Sequence, residues 1–450
     1  MAVRHGYGKI AGTDALVFAY DTGDTRNSYR GEPTVNYIAH QNAVAQSSYT
    51  SYSATSNGTW NAKHSNAIRA YNIDGGDITV YINTGVGDWT NTYHAHWQYD
   101  IELGKPVAVM QALDGNWKAK SFGAGMGAWS SLGMSAGQKY TISWLQWTSD
   151  LNLCADTGFY SRNTSNTWGF HDGRSNGNSK NTLLNTWQRV SYTFTVNAVR
   201  NLNDSNGNVY MYGHTTSNIG GTLKIADVQL ELKDHATQFT GLTSGTNGRT
   251  TRSSTQGLLD LTGNSTIDLS NVSFDSNAQM TFDGTDDWLN IPVALNAGNF
   301  TYETVMQASN ASYQIFSAGT GVPSSGGTTI QAFVNSSGAL INLYAPVGGS
   351  GWQYGSYNNQ SAYVGVSGAI RHITVVNLNT NWKTYVNGVL VGDVNFFVPN
   401  TGNAIGVARA AMQNISTVST TVYMSKVYNR ALTAQEVRNN YNQYKGRFNI

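Results

Sequence analysis

At 450 residues the chain is long enough for two or three folding units. Only 12% of its residues are charged and the formal net charge is +1, which gives no electrostatic reason to expect nucleic acid or an anionic membrane as partner. No apolar run is long enough to span a bilayer as a helix. With 48 Gly, 26 Tyr, 12 Trp and abundant Asn, Ser and Thr, the composition is that of an extracellular-type β protein. Its single cysteine, Cys154, can form no internal disulfide. The opening "MAVRHGYGKIAG" lacks the apolar centre of a secretory signal. Together these features fit a particle released when its host cell lyses.

The run "DALVFAYD" at 14–21 is apolar and bounded by turn formers, which predicts a buried strand. A loop with Gly31 and Pro33 follows. From residue 38 to 240 strand candidates come in quick succession: "AIRAYNI", "DITVYIN", "HAHWQYDIEL", "YTISWLQW", "RVSYTFTV", "NVYMYGH" and "GTLKIADVQLEL". Gly, Asn, Ser and Asp separate them, and none has a 3.6-residue apolar period, so a sandwich or jelly roll is expected. Residues 235–257 are poor in large apolar side chains and read as a returning linker. Strands then resume, and "TYVNGVLVG" at 384–392 sets Asn387-Gly388 between two alternating runs, the strongest short hairpin signal. One helix is expected, at the end: Thr433 as N-cap with Glu436 three residues on, Val437 and Tyr441 sharing a face, and Gly446 as the stop.

The second half resembles the concanavalin-A-like, laminin-G-like family. The residues that carry the likeness are "MTFDGTDDWLNIP", "IRHITVVNLNTNWKTYVNGVLVG" and "VYMSKVYNRALTAQEVRNNYNQYKGRF". That family opens on a strand like "ALVFAYDTGDTRNSYRG", found here at 15–31, and continues with a piece like "LLDLTGNSTIDLSNVSFDS", found here only at 258–276. The resemblance therefore implies one sandwich, residues 1–37 plus 241–450, interrupted by a second domain at 38–240. In that sandwich Leu16 to Tyr20 are expected in the same sheet as Met280 to Phe282. Surface loops accept such insertions because folded termini often lie close together. The inserted piece is similar, over about 110–240, to carbohydrate-binding modules of the family-four and family-nine type, through "YTISWLQW", "TWQRVSYTFTV" and "GTLKIADVQLELKDHATQF". The fold class expected is thus all-β: two antiparallel sandwich or jelly-roll domains, one inside the other, with a short C-terminal helix.

For chemistry the sequence offers little. "DIE" at 100–102 supplies Asp100 and Glu102 without the third carboxylate of a retaining glucanase strand, and reads as a solvated face. Glu303 in "TYETV" reads as a lone surface residue. His94 and His96 share a strand side, yet two imidazoles alone make a weak metal site. No nucleophile-elbow pattern or P-loop occurs, and no catalytic residue is assigned. Both resembled families often hold structural Ca²⁺ through loop oxygens; Asp283, Asp286 and Asp287 of "FDGTDDW" would be its ligands here. The same turn also has a purely backbone role open to it.

Sugar rings stack on Trp and Tyr while amides and charged groups bind their hydroxyls. Trp144 and Trp147 point to opposite strand faces, so at most one can serve a cleft. The candidate carbohydrate-binding residues are Trp147; Tyr160, Trp168, His171 and Arg174 in "FYSRNTSNTWGFHDGR", read as loop; and Trp352 and Tyr354. Aromatic loops of this kind serve subunit interfaces equally well. The combination resembles proteins of tailed-bacteriophage virions. That resemblance implies a non-enzymatic fibre, collar or head-decoration component, assembled in the host cytoplasm and displayed on the particle. Its implied partners are other virion proteins, further copies of itself and bacterial surface glycans. A polysaccharide-degrading enzyme and a purely architectural protein are the alternatives.

Overall fold

In the computed structural model the apolar run at the start of the chain is a strand, Leu16–Asp21, and its partner lies at the far end of the sequence. It pairs antiparallel with Val422–Tyr428, in register Leu16↔Tyr428 to Asp21↔Met424. The structure describes residues 14–37, 53–54, 69–71, 77–83, 93–112, 120–125, 134–175, 178–202, 208–215, 221–240, 250–282, 287, 289–291, 293, 299–307, 313–319, 329–334, 340–345, 353–356, 368–395, 405–407 and 421–450. Among the described residues it is an all-β protein of antiparallel sheets with one short C-terminal helix.

The chain divides into two units, 1–33 with 253–450, and 34–252. In the first unit a six-stranded sheet runs, in spatial order, Leu16–Asp21, Val422–Tyr428, Asn299–Gln307, Ile370–Leu378, Asn381–Val386 and Val389–Asn395. A second six-stranded sheet holds Leu289–Ile291, Ile405–Val407, Tyr313–Gly319, Thr329–Val334, Leu340–Ala345 and Gln353–Ser356. The apolar cluster of this unit takes Phe18, Tyr20, Phe300, Tyr302, Ile373, Val375 and Trp382 from the first sheet and Leu289 from the second.

The opening strand is an edge strand, and its free side is closed by the segment that follows the insertion. Asp260 accepts from the Ala19 amide at 3.0 Å. Leu261 N–H donates to Ala19 O at 2.7 Å, and Ser28 O accepts from Leu259 N–H at 2.8 Å. The same Asp260 carboxylate also takes the amides of Thr262, Asn264 and Ser265 and the Thr262 hydroxyl. One buried carboxylate thus satisfies five donors and covers a sheet edge that would otherwise be a template for foreign strands. The expected partnership with Met280–Phe282 needs correction. Among the described residues Met280–Thr281 pairs with Ser273–Phe274, in a separate two-stranded ribbon. Met280 and Phe282 join Phe18 and Tyr20 through the apolar core instead.

Asn387 and Gly388 have φ of 49° and 73°, so both central residues of this hairpin turn are left-handed, as a type I′ turn requires. Gly388 is also a close approach: a Cβ there would lie 2.9 Å from the Tyr441 ring. The helix, Ala434–Phe448, has the expected capping box, with Thr433 and Glu436 each bonding the other's backbone. Arg430 grips Glu436 with two nitrogens, at 2.6 and 3.0 Å. Gly446 does not stop the helix. It sits inside the last turn, and Asn449 (φ 53°, ψ 48°) takes the left-handed closing position that Asn tolerates.

The second unit starts and ends on adjacent strands: Thr34–Asn36 pairs antiparallel with Thr250–Arg252. One sheet runs Trp168–Arg174, Leu153–Arg162, Asn208–Thr215, Lys120–Gly125, Asp77–Asn83, Arg69–Tyr71. The other runs Gln188–Thr195, Lys139–Thr148, Gly221–Glu231, Lys105–Ala112, Tyr93–Asp100, Ser53–Ala54. Tyr140, Ile142, Trp144, Phe194, Leu223, Ile225 and Leu230 of the latter form the core with Ala155 and Phe159 of the former. The stretch 153–174, read from sequence as loop around Tyr160 to Arg174, is a strand hairpin. Its Asn and Ser residues concentrate in the short turn, where Asn163 accepts the amides of Ser165 and Thr167.

The three sequence pieces that carried the binding-module resemblance meet in space. The Arg189 guanidinium lies 5.4 Å from the centre of the Phe239 ring and donates to Asp227 O and Ser143 Oγ. Glu231, fully buried, accepts from Gln229, from the Thr237 amide and hydroxyl, and from Thr34. These residues hold the unit's two chain ends against its sheet, so their role is structural.

Candidate functional site

Strand alternation sends Trp144 and Trp147 to opposite sides of Lys139–Thr148. Trp144 is fully buried in the core, whereas Trp147 is half-buried on the outer face. Its cross-strand partner is Lys224, whose ammonium lies 4.5 Å from the indole centroid. That ammonium also donates to Asp100 Oδ2 at 2.9 Å. The other oxygen of Asp100 accepts from Trp187 Nε1 at 3.3 Å and from the amides of Glu102 and Leu103, both at 3.1 Å. Beneath them a small apolar cluster of Val107, Ala226, Leu103, Leu145 and Trp187 fixes the turn 101–104 against the sheet.

Two half-buried tryptophans, joined through one neutralised ion pair, place aromatic surface beside a few fixed polar groups. Such a surface suits the C–H face and the hydroxyls of a sugar ring. The Asp100 carboxyl is only slightly exposed; burial alone would raise its pKa, but Lys224 and the amide and indole donors outweigh it and hold it below the usual range. Asp100 therefore stays ionised and the pair stays closed. The expectation of a solvated Asp100–Glu102 strand face is corrected here: the strand ends at Asp100, and Glu102 lies in the exposed turn after it.

Of the other predicted site residues, His171 is buried, with 3% of its surface exposed. Its Nδ1 accepts from the Asn197 amide at 3.3 Å, which leaves the hydrogen on Nε2, donated to Ser161 Oγ at 3.0 Å. Ser161 is therefore an acceptor from His171 and not a nucleophile activated by it. Burial, and secondarily the Arg200 charge, push the imidazole down to about 4, so it stays neutral. Tyr160, Trp168 and Arg174 lie on the paired strands of the same hairpin, with Arg162↔Trp168 and Gly158↔Arg174 opposite one another. Tyr354 lies on Gln353–Ser356, opposite Leu343. Trp352, Asp283 and Asp286 fall outside the described residues. Asp287 is buried and accepts from the Ser273 hydroxyl at 2.9 Å. Among the described residues no group of three His, Cys, Asp or Glu side chains is placed to hold a metal ion.

Glu303 is the largest departure from the sequence reading. It is fully buried beneath the C-terminal helix rather than at the surface. Its carboxylate accepts from His372 Nε2 at 2.7 Å, Asn440 Nδ2 at 2.9 Å and the Tyr428 hydroxyl at 3.2 Å. Lys426, its cross-strand partner, is buried as well, and its ammonium lies 4.8 Å from the Tyr444 ring centre. Burial pushes Glu303 up, but Lys426 and His372 more than reverse this, so the group is held below the usual glutamate range. The arrangement seats the helix on the sheet and leaves the carboxylate without exposed surface.

Residues 283–438 match the family profile described as the Concanavalin A-like lectin/glucanases superfamily. No curated protein sequence matches the chain. Among solved structures it is similar to a botulinum neurotoxin serotype D binding domain, at 15% identity and a TM-score of 0.32. It is also similar to a structure of botulinum neurotoxin type C, a toxin whose cell entry is dependent upon interaction with two ganglioside molecules, at 15% identity and a TM-score of 0.33. A third is the serotype D ligand binding domain in complex with N-acetylneuraminic acid, at 14% identity and a TM-score of 0.32. In each case 42% of this chain aligns with 49% of the other, so the likeness spans about half the length of those structures. The profile match lies wholly inside the unit closed by the opening strand and the C-terminal helix, and that unit carries a concanavalin A-like, laminin-G-like lectin domain.

Proposed function

We propose that the protein is a non-enzymatic, virion-displayed glycan-binding protein, a fibre, collar or head-decoration component of a tailed bacteriophage that touches host surface sugars. The observation that carries the binding half of this reading is the Trp147–Lys224–Asp100–Trp187 chain on the outer sheet face. The virion half rests on composition and on the pairing of two resemblances in one chain. Partnership with other virion proteins and with further copies of this chain belongs to the same proposal, as does assembly in the host cytoplasm. Against the enzyme alternative stand the inaccessible Glu303 and the direction of the Ser161–His171 hydrogen bond.

A glycan array of host-derived polysaccharides tests the binding half. Trp147→Ala and Trp187→Ala should each lower affinity for any hit by roughly tenfold, the usual weight of a central aromatic contact. An array without hits would leave only the architectural alternative. Mass spectrometry of purified particles tests the virion half, and absence of the chain there would end it. Structural calcium at Asp283, Asp286 and Asp287 is a further proposal, supported by the hard-oxygen character of the three carboxylates. A metal-dependent fold should melt lower in chelator than in millimolar Ca²⁺, and coincident curves would remove the metal.

A further inference from the structure

We infer that Asp100 is the specificity-determining residue of the tryptophan platform, and that by holding the Lys224 ammonium it turns the site away from acidic sugars. The inference rests on the glycan-binding reading. Lys224 is the cation placed against Trp147, and an ammonium there would attract a uronate or sialate carboxylate. Arg189, on the neighbouring edge strand, is already committed to Asp227 O, Ser143 Oγ and the Phe239 ring. Asp100 removes the attraction of Lys224 because it cannot swing away. One oxygen is held by Trp187, Glu102 and Leu103, and only the other is left to face the ammonium, at 2.9 Å.

An acidic sugar arriving at Trp147 would therefore meet a closed pair with no net charge. It would bring the repulsion of Asp100 along with the attraction of Lys224, and would desolvate its own carboxylate without a free partner. A neutral ring meets no such penalty: its apolar face can lie on indole surface that Lys224 does not cover, and its hydroxyls can use ammonium hydrogens not directed at Asp100. Charge, and not shape, is what the platform discriminates.

The test uses the full chain and calorimetry with two oligosaccharides of one backbone, one neutral and one carrying uronic acid, each at low and high salt. The readout is the ratio of acidic to neutral affinity. Wild type should favour the neutral sugar. Asp100→Asn should shift the ratio roughly two- to fivefold toward the acidic sugar at low salt, at least the size of one surface charge pair. High salt should erase that shift, and so should the double variant Asp100→Asn with Lys224→Met. Because a folding defect alone would not produce a salt-sensitive gain, this outcome separates selectivity from structure. If Asp100→Asn does not fold, Lys224→Met serves, and should move the ratio further toward neutral. Wild type that prefers the acidic sugar, or an unmoved ratio in these variants, overturns the inference. Wild type that binds neither sugar overturns the glycan-binding reading itself.

Discussion

Glu303→Gln should lower the stability of the lectin unit by about 3–5 kcal/mol, the cost of leaving a buried charge without its partner. The glutamine is close in shape, but one of its two terminal atoms is an amide nitrogen. That nitrogen would meet a donor in either orientation, His372 Nε2–H in the place of Oε1 or Asn440 Nδ2–H in the place of Oε2. Lys426 would lose the stronger of its two counter-charges, Glu303 and Asp21, while staying buried. In a thermal melt the loss corresponds to roughly 10 °C or more for a unit of this size. Adding Lys426→Met to the variant should restore part of the loss, because the uncompensated cation is then gone. A double-mutant cycle reads that coupling directly, and additive single effects would show the two groups to be independent. The pH profile follows from the same carboxylate. Its ionised form is favoured in the folded state, so its contribution is complete above the ordinary glutamate value of about 4.3 and drains as pH falls through the depressed folded value. Acid unfolding of Glu303→Gln should accordingly be shallower than that of wild type.

Asp260→Ala is expected to cost about 3 kcal/mol and to act at a distance in sequence. It would strip the acceptor from five donors, and among them is the amide of Ala19, 241 residues earlier. Hydrogen exchange gives a sharper signature than the melt. The Ala19 amide should lose its protection, while amides in Ile370–Leu378, at the middle of the same sheet, keep theirs. Equal loss in both strands would mean that Asp260 supports the whole unit and not the edge strand in particular.

Local patterns foretold local structure well. Asn387-Gly388 and the Thr433–Glu436 box involve contacts within four residues, and the sequence shows them directly. Glu303 defeated the same reasoning because the strand Asn299–Gln307 is buried along nearly its whole length, one face by the core and the other by a helix more than a hundred residues later. No strand-level pattern announces such a cover. The platform was half legible: Trp147 stood out by strand phase. Asp100, Trp187 and Lys224 did not, because their proximity comes from three further stretches of chain brought beside one sheet. Around His171 the Asn, Ser and Gly residues suggested a loop, whereas they serve the turn of a hairpin in which His171 itself is buried.

The pairing of Thr34–Asn36 with Thr250–Arg252 has a consequence for how the polypeptide acquires its shape. Ala19 and Asp260 are separated by 241 positions, a long and entropically costly tether to close in a disordered chain. Of those positions, 34–252 belong to a unit whose own two ends already lie side by side. Once that unit has formed, only about twenty floppy residues remain between the two groups, and the closure cost drops by about 2 kcal/mol. The intruding module thus works as a splint: synthesised before most of the sandwich it interrupts, it sets that sandwich's broken halves at arm's length from each other.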